Sequence, residues 1–382
     1  MRVLLTTWAW PSHYFPLVPL GWALRTSGHE VRVACQPALA RTVERSGLPA
    51  VVVGTDVDVP AMVRRSATAE KAGAARPSSP YFFDQYLVFA EAMTEDLVDY
   101  GQAWLPDVIV HDPTTYAGPL AAAVLGVPAV RHLWGPDFML GARPVEPAIL
   151  APMCERLGLG GVETLGDLTV DPCPPSLQVP ADYPRATVRH IPYNGAWAQD
   201  AWRSDPFTRA AARPRVCVTW GATLGEIGGY PNPVRTLLET LAASGAETVA
   251  ALSEKDARTL GTPPEGVMVL VDRPLTSLLP HCDLLVHQGG PGTMLSGLAH
   301  GVPQLIVPTL PDQPFYARQL LSQGAGLALR PSRIEPAGVR ERAERLLDDP
   351  TFRTSARRIA TEIREQPPLT AGVAAVEGLV SV

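Results

Sequence analysis

Two stretches of the chain repeat one pattern, and this repeat constrains the fold more than any other feature. Residues 107–130 read DVIVHDPTTYAGPLAAAVLGVPAV, and residues 283–306 read DLLVHQGGPGTMLSGLAHGVPQLI. Each stretch begins with an apolar run that ends in His, which predicts a strand. A loop and a run of small residues follow, which predict a helix, and Gly-Val-Pro with a second apolar run predicts a parallel strand. The repeat therefore predicts two similar Rossmann-like halves with ligands at the carboxyl ends of their strands. The alternative is that two unrelated units converge on this pattern.

Strand-like and helix-like runs alternate through most of the 382 residues. This alternation predicts an α/β fold with parallel sheets covered on both faces, and the length favours two or three domains. We place one domain at 1–195, a linker without clear periodicity at 196–213, and a second domain at 214–366. The long loop at 55–80 interrupts the pattern, residues 81–104 predict a long helix, and the proline-rich stretch 141–192 is expected to be irregular.

Composition excludes several classes of protein. The formal charge is −6, and no basic run is present, which argues against a nucleic-acid partner. No apolar stretch is long enough to span a membrane, and the first residues lack the pattern of a signal peptide. The five cysteines form no CxxC pair. We therefore expect reduced thiols in a cytoplasmic protein with no stable membrane insertion.

The glycine-rich run from His287 to Thr293 predicts an anion site, because it lies between a predicted strand and a predicted helix. Free amide groups and the helix dipole favour a phosphate or diphosphate at such a position. Pro291 suits the first helical turn. His287 could add a ring N–H, and Thr293 could add a hydroxyl. The alternative is a glycine-rich turn without a ligand.

Asp312 and Gln313 follow a predicted strand and a proline-rich loop. A carboxylate beside an amide offers acceptors and donors suited to sugar hydroxyls. On local sequence alone we favour a simpler interpretation, in which Asp312 caps the following helix.

His13 and Asp112 lie beyond the ends of two predicted strands of the first half. In a parallel sheet both would reach the same crevice, where a carboxylate could orient an imidazole as a general base. A structural role for this histidine is the alternative. The sequence has no GxGxxG, no P-loop and no cluster typical of metal ligands, so we expect neither a cofactor nor a metal.

Residues 287–319, HQGGPGTMLSGLAHGVPQLIVPTLPDQPFYARQ, resemble the donor-binding signature of the GT-B, family 1 glycosyltransferases. The likeness is to bacterial enzymes that attach deoxysugars to antibiotic aglycones. The start MRVLLTT…SHYFPLVPLGWALRTSGHEVRVA and the run VIVHDPTTYAGPLAA resemble their acceptor domain. The resemblance implies two Rossmann-like domains that face a cleft, with a C-terminal helix at 367–382 returning to the first domain.

The resemblance also implies residue roles. His13 would take the proton of the acceptor hydroxyl, with Asp112 as the partner that orients it. Backbone groups near Leu275 would contact the nucleotide base. The implied donor-binding residues are Thr219, Gly221, Thr223, Arg273, Leu275, His287, Gly289, Gly290, Gly292, Thr293, Asp312 and Gln313.

The chain departs from the family pattern at two places. Ala222 stands where many relatives have Ser or Thr, so Thr223 would have to supply that phosphate contact. Arg273 stands where plant relatives have tryptophan, which fits the bacterial type and a dTDP-sugar donor, with a UDP-sugar as the alternative. The implied reaction is an inverting, metal-independent transfer to a hydrophobic aglycone such as a polyketide. For the acceptor we predict an exposed aromatic lining, made by Trp8, Trp10, Phe82, Phe83, Trp134 and Phe138. The alternative is that most of these side chains belong to the core.

Two other functions fit the same fold. A nucleotide-sugar 2-epimerase would use the same diphosphate site but needs acid and base carboxylates in the crevice. A catalytically silent helper protein would bind nucleotide and a partner. The sequence leaves open the sugar, the aglycone and its position, an O- or C-glycosidic bond, the need for an auxiliary activator protein, and a homodimeric state.

Overall fold

The computed structural model describes residues 1–62, 81–198, 207, 213–221, 232–331 and 334–380, with the backbone alone for 81–85. The chain divides into two compact units. Unit 1 comprises Met1–Cys173, Val179–Gly195 and Gln366–Val382, and unit 2 comprises Pro174–Gln178 and Ala196–Glu365. No helix among the described residues is long and apolar enough to cross a membrane.

The described part of unit 1 forms a parallel sheet of seven strands in the order β3-β2-β1-β4-β5-β6-β7. The strands are β1 Arg2–Thr6, β2 Glu30–Cys35, β3 Ala50–Val52, β4 Val108–His111, β5 Ala129–His132, β6 Leu168–Asp171 and β7 Arg185–Thr187. The helices are α1 Pro11–Tyr14, α2 Leu17–Thr26, α3 Pro37–Arg45, α4 Tyr81–Trp104, α5 Ala117–Leu125 and α6 Glu146–Arg156. A short 3-10 helix covers Phe138–Ala142.

The sheet of unit 1 is buried on both faces. Along β1, Val3 and Leu5 point into one core cluster, whereas Leu4 points to the other side, and all three are fully buried. Apolar residues on both sides of a strand are what a parallel sheet covered by helices requires. The register pairs Thr6 with His111, so β1 and β4 end side by side.

The described part of unit 2 forms a six-stranded parallel sheet in the order β10-β9-β8-β11-β12-β13. The strands are β8 Arg215–Thr219, β9 Glu247–Leu252, β10 Val267–Val271, β11 Leu284–His287, β12 Gln304–Ile306 and β13 Gly326–Ala328. The helices are α7 Val234–Ala243, α8 Glu254–Leu260, α9 Pro291–Ala299, α10 Gln313–Ser322, α11 Pro336–Asp348 and α12 Pro350–Glu365. The first six strands of unit 1 follow the same order, as the sequence repeat predicts, and unit 1 has β7 as an additional edge strand.

The C-terminal helix α13, Leu369–Val380, belongs to unit 1. Val373 and Val376 pack into the same core cluster as β1. Glu377 is paired with His29, at 2.8 Å between Oε1 and Nε2.

The structure departs from the predicted organisation at residues 141–192. This stretch contains α6 and the strands β6 and β7, so the prediction that it is irregular is wrong. The prediction failed because it took the prolines of this stretch as helix breakers. One proline lies in the first turn of α6, where it destabilises a helix little, and Pro152 lies inside the helix. Residues Pro174–Gln178, placed by the sequence in the first domain, belong to unit 2, where the Ser176 N–H donates to Glu362 at 2.8 Å.

Candidate active site

In each sheet the order in which the chain adds strands reverses at one position, and the candidate residues lie near these two positions. In unit 1 the strand order reverses between β1 and β4, and in unit 2 between β8 and β11. In open parallel sheets, ligands bind beyond the carboxyl ends of the strands at this switch point. The chain leaving β1 carries His13, and the chain leaving β4 carries Asp112. The two predicted catalytic residues therefore come from strands that are neighbours in the sheet.

His13 and Asp112 are in contact. His13 Nδ1 lies 3.2 Å from Asp112 Oδ1, and the histidine side chain is 17% exposed whereas that of Asp112 is 1% exposed. Since Nδ1 is turned toward the carboxylate, Nε2 is the nitrogen left for another molecule. A carboxylate behind an imidazole in this way sets its tautomer and stabilises its protonated form.

Two threonines complete the surroundings of Asp112. Thr114 donates to Oδ1 through its hydroxyl at 2.6 Å and through its backbone N–H at 3.0 Å. The Thr115 hydroxyl donates to Oδ2. Burial by itself raises the pKa of Asp112, but the hydrogen bonds from His13 and both threonines outweigh it and lower the pKa to about 2. Asp112 is therefore a carboxylate throughout the neutral range.

Sequence reasoning missed Thr114 and Thr115. The available signal was their spacing, because hydroxyl residues two and three positions after an aspartate often bond back to its carboxylate in a turn.

Three of the predicted aromatic residues lie together in unit 1, since Trp8 stacks on Trp10, and Trp8 and Trp134 both contact the His13 ring. Trp8 stacks on Phe89 of α4 with ring centroids 4.1 Å apart, and on Trp10 at 5.4 Å. The His13 ring lies between Trp8 at 4.7 Å and Trp134 at 4.5 Å. The base candidate thus sits in an aromatic wall, defined here as Trp8, Trp10, Phe89 and Trp134.

The exposure of these rings corrects the picture of a freely exposed lining. Trp8 and Trp10 are 5% and 6% exposed, so their faces are largely covered by neighbouring rings. Trp134 and Phe138 are half-buried. The side chains of Phe82 and Phe83 lie outside the described residues.

In unit 2, the glycine-rich run lies between β11 and α9. Gly290 is the N-cap residue of α9, and no side chain caps it. The first hydrogen bond of the helix runs from the Met294 N–H to the Gly290 carbonyl at 3.0 Å. The amides of Gly292 and Thr293 precede that bond and have no carbonyl four residues back within the helix, which is the arrangement of an anion-binding helix end.

His287 is engaged on both sides of its ring. Its Nδ1 accepts the Gly289 N–H at 3.1 Å, and its Nε2 lies 2.8 Å from Gln304 Oε1. The ring is therefore the neutral Nε2–H tautomer, and burial lowers its pKa to about 4. The ring N–H of His287 is thus used by Gln304, and the diphosphate contact that the resemblance implies for this residue stays a prediction. Its observed role is to support the loop, and Gln304 continues that support by donating to the Met294 carbonyl at 2.9 Å.

Gln288, which sequence reasoning passed over, is the polar side chain next to this loop. It is 5% exposed, and its Oε1 has no partner among the described residues. Gly221, just after β8, has a φ of +66°, and a Cβ there would lie 2.5 Å from Gln288 Nε2. Glycine at 221 therefore leaves room for this amide. Thr219 ends β8 and is buried, and Thr223 lies outside the described residues.

Gln313, the second residue of the predicted sugar-binding pair, lies close to the glycine-rich run. Asp312 occupies the N-cap position of α10, but its side chain makes no capping hydrogen bond, so the interpretation as a side-chain cap is wrong. Gln313 is buried, and its Oε1 accepts the N–H groups of Thr309 at 2.7 Å and Leu310 at 2.8 Å. A Cβ on Gly289 would lie 3.3 Å from Gln313 Cβ.

Arg273 makes cation–π contacts with two aromatic rings, which the sequence analysis did not predict. Its guanidinium carbon lies 4.6 Å from the ring centroid of Trp197 and 4.9 Å from that of Phe207, and its Nε donates to Ser277 at 3.0 Å. Trp197 is 41% exposed. Leu275 is buried at the start of a short 3-10 helix, Leu275–Ser277. Within the described ranges no group of three or more metal-ligating side chains is present.

Two Rossmann-like parallel sheets, each with polar residues at its switch point, are the units of a GT-B fold, and the glycosyltransferases among the solved structures similar to this chain share that fold. Residues 22–221 match the N-terminal domain, and residues 235–379 the C-terminal domain, of the family described as erythromycin biosynthesis protein CIII-like. The chain belongs to this family.

Proteins and solved structures similar to this chain agree with the assignment. The 10-deoxymethynolide desosaminyltransferase of Streptomyces venezuelae is 38% identical, over 96% of this chain and 94% of its own. The aklavinone 7-beta-L-rhodosaminyltransferase of Streptomyces galilaeus is 36% identical, over 100% and 96%. The structure of glycosyltransferase VinC in complex with dTDP superposes with a TM-score of 0.82 at 33% identity, covering 100% of both chains.

Proposed function

We propose that this glycosyltransferase transfers a deoxysugar from a dTDP-sugar to a hydrophobic polyketide-type aglycone, with inversion at the anomeric carbon. The observation that carries the proposal is the His13–Asp112 pair at the switch point of unit 1, with Nε2 of His13 left for a substrate. The lowered pKa of Asp112 supports it, because a permanent carboxylate stabilises the imidazolium that a base becomes.

The chemical step uses one base and one leaving group. Nε2 of His13 takes the proton of the acceptor hydroxyl, and the oxygen attacks the anomeric carbon of the sugar. The bond from that carbon to the phosphate oxygen breaks with its electron pair, which leaves on the nucleoside diphosphate. Attack from the opposite face inverts the anomeric centre. Positioned acid–base catalysis of this kind contributes about 100- to 10,000-fold in rate.

On the donor side, the amides of Gly292 and Thr293 and the dipole of α9 would receive the diphosphate. Such preorganised groups stabilise developing negative charge without reorganisation. Gln288, whose Oε1 lacks a partner among the described residues, adds a polar group at the same loop. Asp312 and Gln313 would hold the sugar. The choice of dTDP is supported by similar structures that carry it, VinC and the spinosyn rhamnosyltransferase SpnG.

The acceptor class rests on the aromatic wall and on the relatives. Indole and phenyl rings around His13 offer apolar surface for a ring-shaped aglycone. The relatives named above act, by their names, on 10-deoxymethynolide and aklavinone. The 2-epimerase alternative is not favoured, since the similar proteins are glycosyltransferases.

The decisive experiment is His13→Ala, assayed for transfer and for nucleotide binding. We expect turnover to fall at least 100-fold, because the proton acceptor is lost. Binding of dTDP by calorimetry should stay within about 2-fold of wild type, since His13 belongs to unit 1 and the glycine-rich run to unit 2. Thr26→Ala, an exposed change on α2, serves as the matched control. Near-normal turnover of His13→Ala would remove His13 as the base.

A further inference from the structure

One hydroxyl group joins the candidate base pair to the aromatic wall. The Nε1–H of Trp8 donates to Thr114 Oγ1 at 2.9 Å. The same hydroxyl lies 2.6 Å from Asp112 Oδ1 and 3.1 Å from His13 Nδ1. Thr114 therefore touches the carboxylate, the imidazole and the indole at once.

The direction of each hydrogen bond follows from the chemistry of the partners. An ionised carboxylate only accepts, so the single proton of the Thr114 hydroxyl goes to Asp112. An indole N–H only donates, so Trp8 uses a lone pair of the same oxygen. The hydroxyl thus serves as donor on one side and acceptor on the other, and a side chain without both capacities cannot replace it.

Burial makes this arrangement sensitive to loss of the hydroxyl. Thr114 and Asp112 are fully buried and Trp8 is 5% exposed. Bulk water therefore has little access to the Asp112 carboxylate and the Trp8 indole N–H if the Thr114 hydroxyl is removed. Trp8 is also held at its backbone, since its N–H donates to Thr115 Oγ1 at 3.3 Å. The ring face, in contrast, is oriented by Nε1 and by stacking on Phe89.

We propose that Thr114 is a positioning residue that aligns the Asp112 carboxylate and the Trp8 ring together. The orientation of the base and the shape of the wall beside it are then set by one side chain. This inference rests on the proposed role of His13 as base, and it adds a specificity function for the turn after β4. A misplacement of the base by about 1 Å is enough to cost about 100-fold in rate.

The test compares Thr114→Val, which removes the hydroxyl at similar volume, with Thr114→Ser, which keeps it. The indole N–H resonance of Trp8, assigned by its disappearance in Trp8→Phe, reports the hydrogen bond directly. In Thr114→Val we expect this resonance to shift, kcat to fall about 10- to 100-fold and the acceptor KM to rise, with the donor KM unchanged. In Thr114→Ser all four quantities should stay close to wild type.

Thr115→Val is the comparison variant, because Thr115 bonds Asp112 and the backbone N–H of Trp8 but does not bond the indole nitrogen. It should shift the Trp8 indole resonance much less than Thr114→Val does. If Thr114→Val does not fold, Thr114→Ala and Trp8→Phe take its place, and wild-type kcat and acceptor KM in Trp8→Phe would overturn the proposal. An unmoved indole resonance in a folded Thr114→Val or Thr114→Ala would overturn it as well.

The experiment separates this proposal from the proposed function. If His13→Ala keeps normal turnover while Thr114→Val shifts the indole resonance, the base assignment fails and the link through Thr114 stands. If Thr114→Val lowers only the thermal stability and leaves kcat and both KM values unchanged, Thr114 is merely structural and the positioning role is refuted.

Discussion

Gly289→Ala should destabilise unit 2 and weaken donor binding together. Gly289 is buried between β11 and α9 with a φ of +102°. A Cβ there would lie 2.8 Å from Ile306 Cγ2 and 3.3 Å from Gln313 Cβ. Neither neighbour is free to retreat, because Ile306 ends the buried strand β12 and Gln313 Oε1 accepts two backbone N–H groups.

The expected magnitude has two parts. A left-handed backbone costs a residue with a Cβ about 1–2 kcal/mol. Overpacking of a buried site adds about 1–3 kcal/mol. The free energy of unfolding should therefore fall by about 2–5 kcal/mol. Gly245→Ala is the matched control, since Gly245 has a φ of +85° but no atom lies within 4 Å of its Cβ position. That variant should show only the first part.

Urea unfolding measures the stability change, and calorimetric titration with dTDP measures the donor site. We expect Gly289→Ala to lose about 1–3 kcal/mol more stability than Gly245→Ala. We also expect its Kd for dTDP to rise at least 10-fold, because the displaced loop carries the first amides of α9. Equal stability losses in the two variants would refute the steric argument. An unchanged Kd in a destabilised Gly289→Ala would show that this loop does not bind the donor.

The remaining predictions concern acid stability and nucleotide choice. Burial lowers the pKa of His111, His132 and His287 from 6.5 to about 4, so between these values the unfolded chain binds protons that the folded chain does not. Stability should therefore fall as the pH drops from 6.5 to 4, by about 3 kcal/mol per histidine at the lower limit, and flat urea midpoints across this window would contradict it. In thermal shift assays at equal concentration, dTDP should raise Tm more than UDP, and the reverse order would count against the proposed donor.

The sequence predicted the elements around both sites well, because local patterns carry that information. The apolar run ending at His111 forms β4, and the run ending at His287 forms β11. Each of these strands lies at the switch point of its own sheet. A helix over Tyr81–Trp104 follows from its length and composition, and the structure has it with the same bounds. The helix Glu146–Arg156 was missed, because its two prolines contradict the local rule and only burial of Ile149, Leu150 and Met153 favours it.

Side-chain roles were less predictable than elements. The expected ring N–H of His287 is used by Gln304, which comes from the next strand, β12. The expected exposure of Trp8 is removed by Phe89, which comes from α4. In both cases the partner comes from another element of the fold, so the local sequence pattern does not predict the contact.

The sequence by itself determined two parallel-sheet units and a glycine-rich helix start, and it placed a histidine and an aspartate beyond the ends of two strands in one sheet. These follow from periodicity, from the absence of a Cβ at glycine and from the edge at which parallel strands end. Only the tertiary structure decided which polar atoms are already satisfied. Hydrogen-bond capacity is consumed by neighbours in space, so His287 became a support for its loop, and Thr114 became the contact between Asp112 and Trp8.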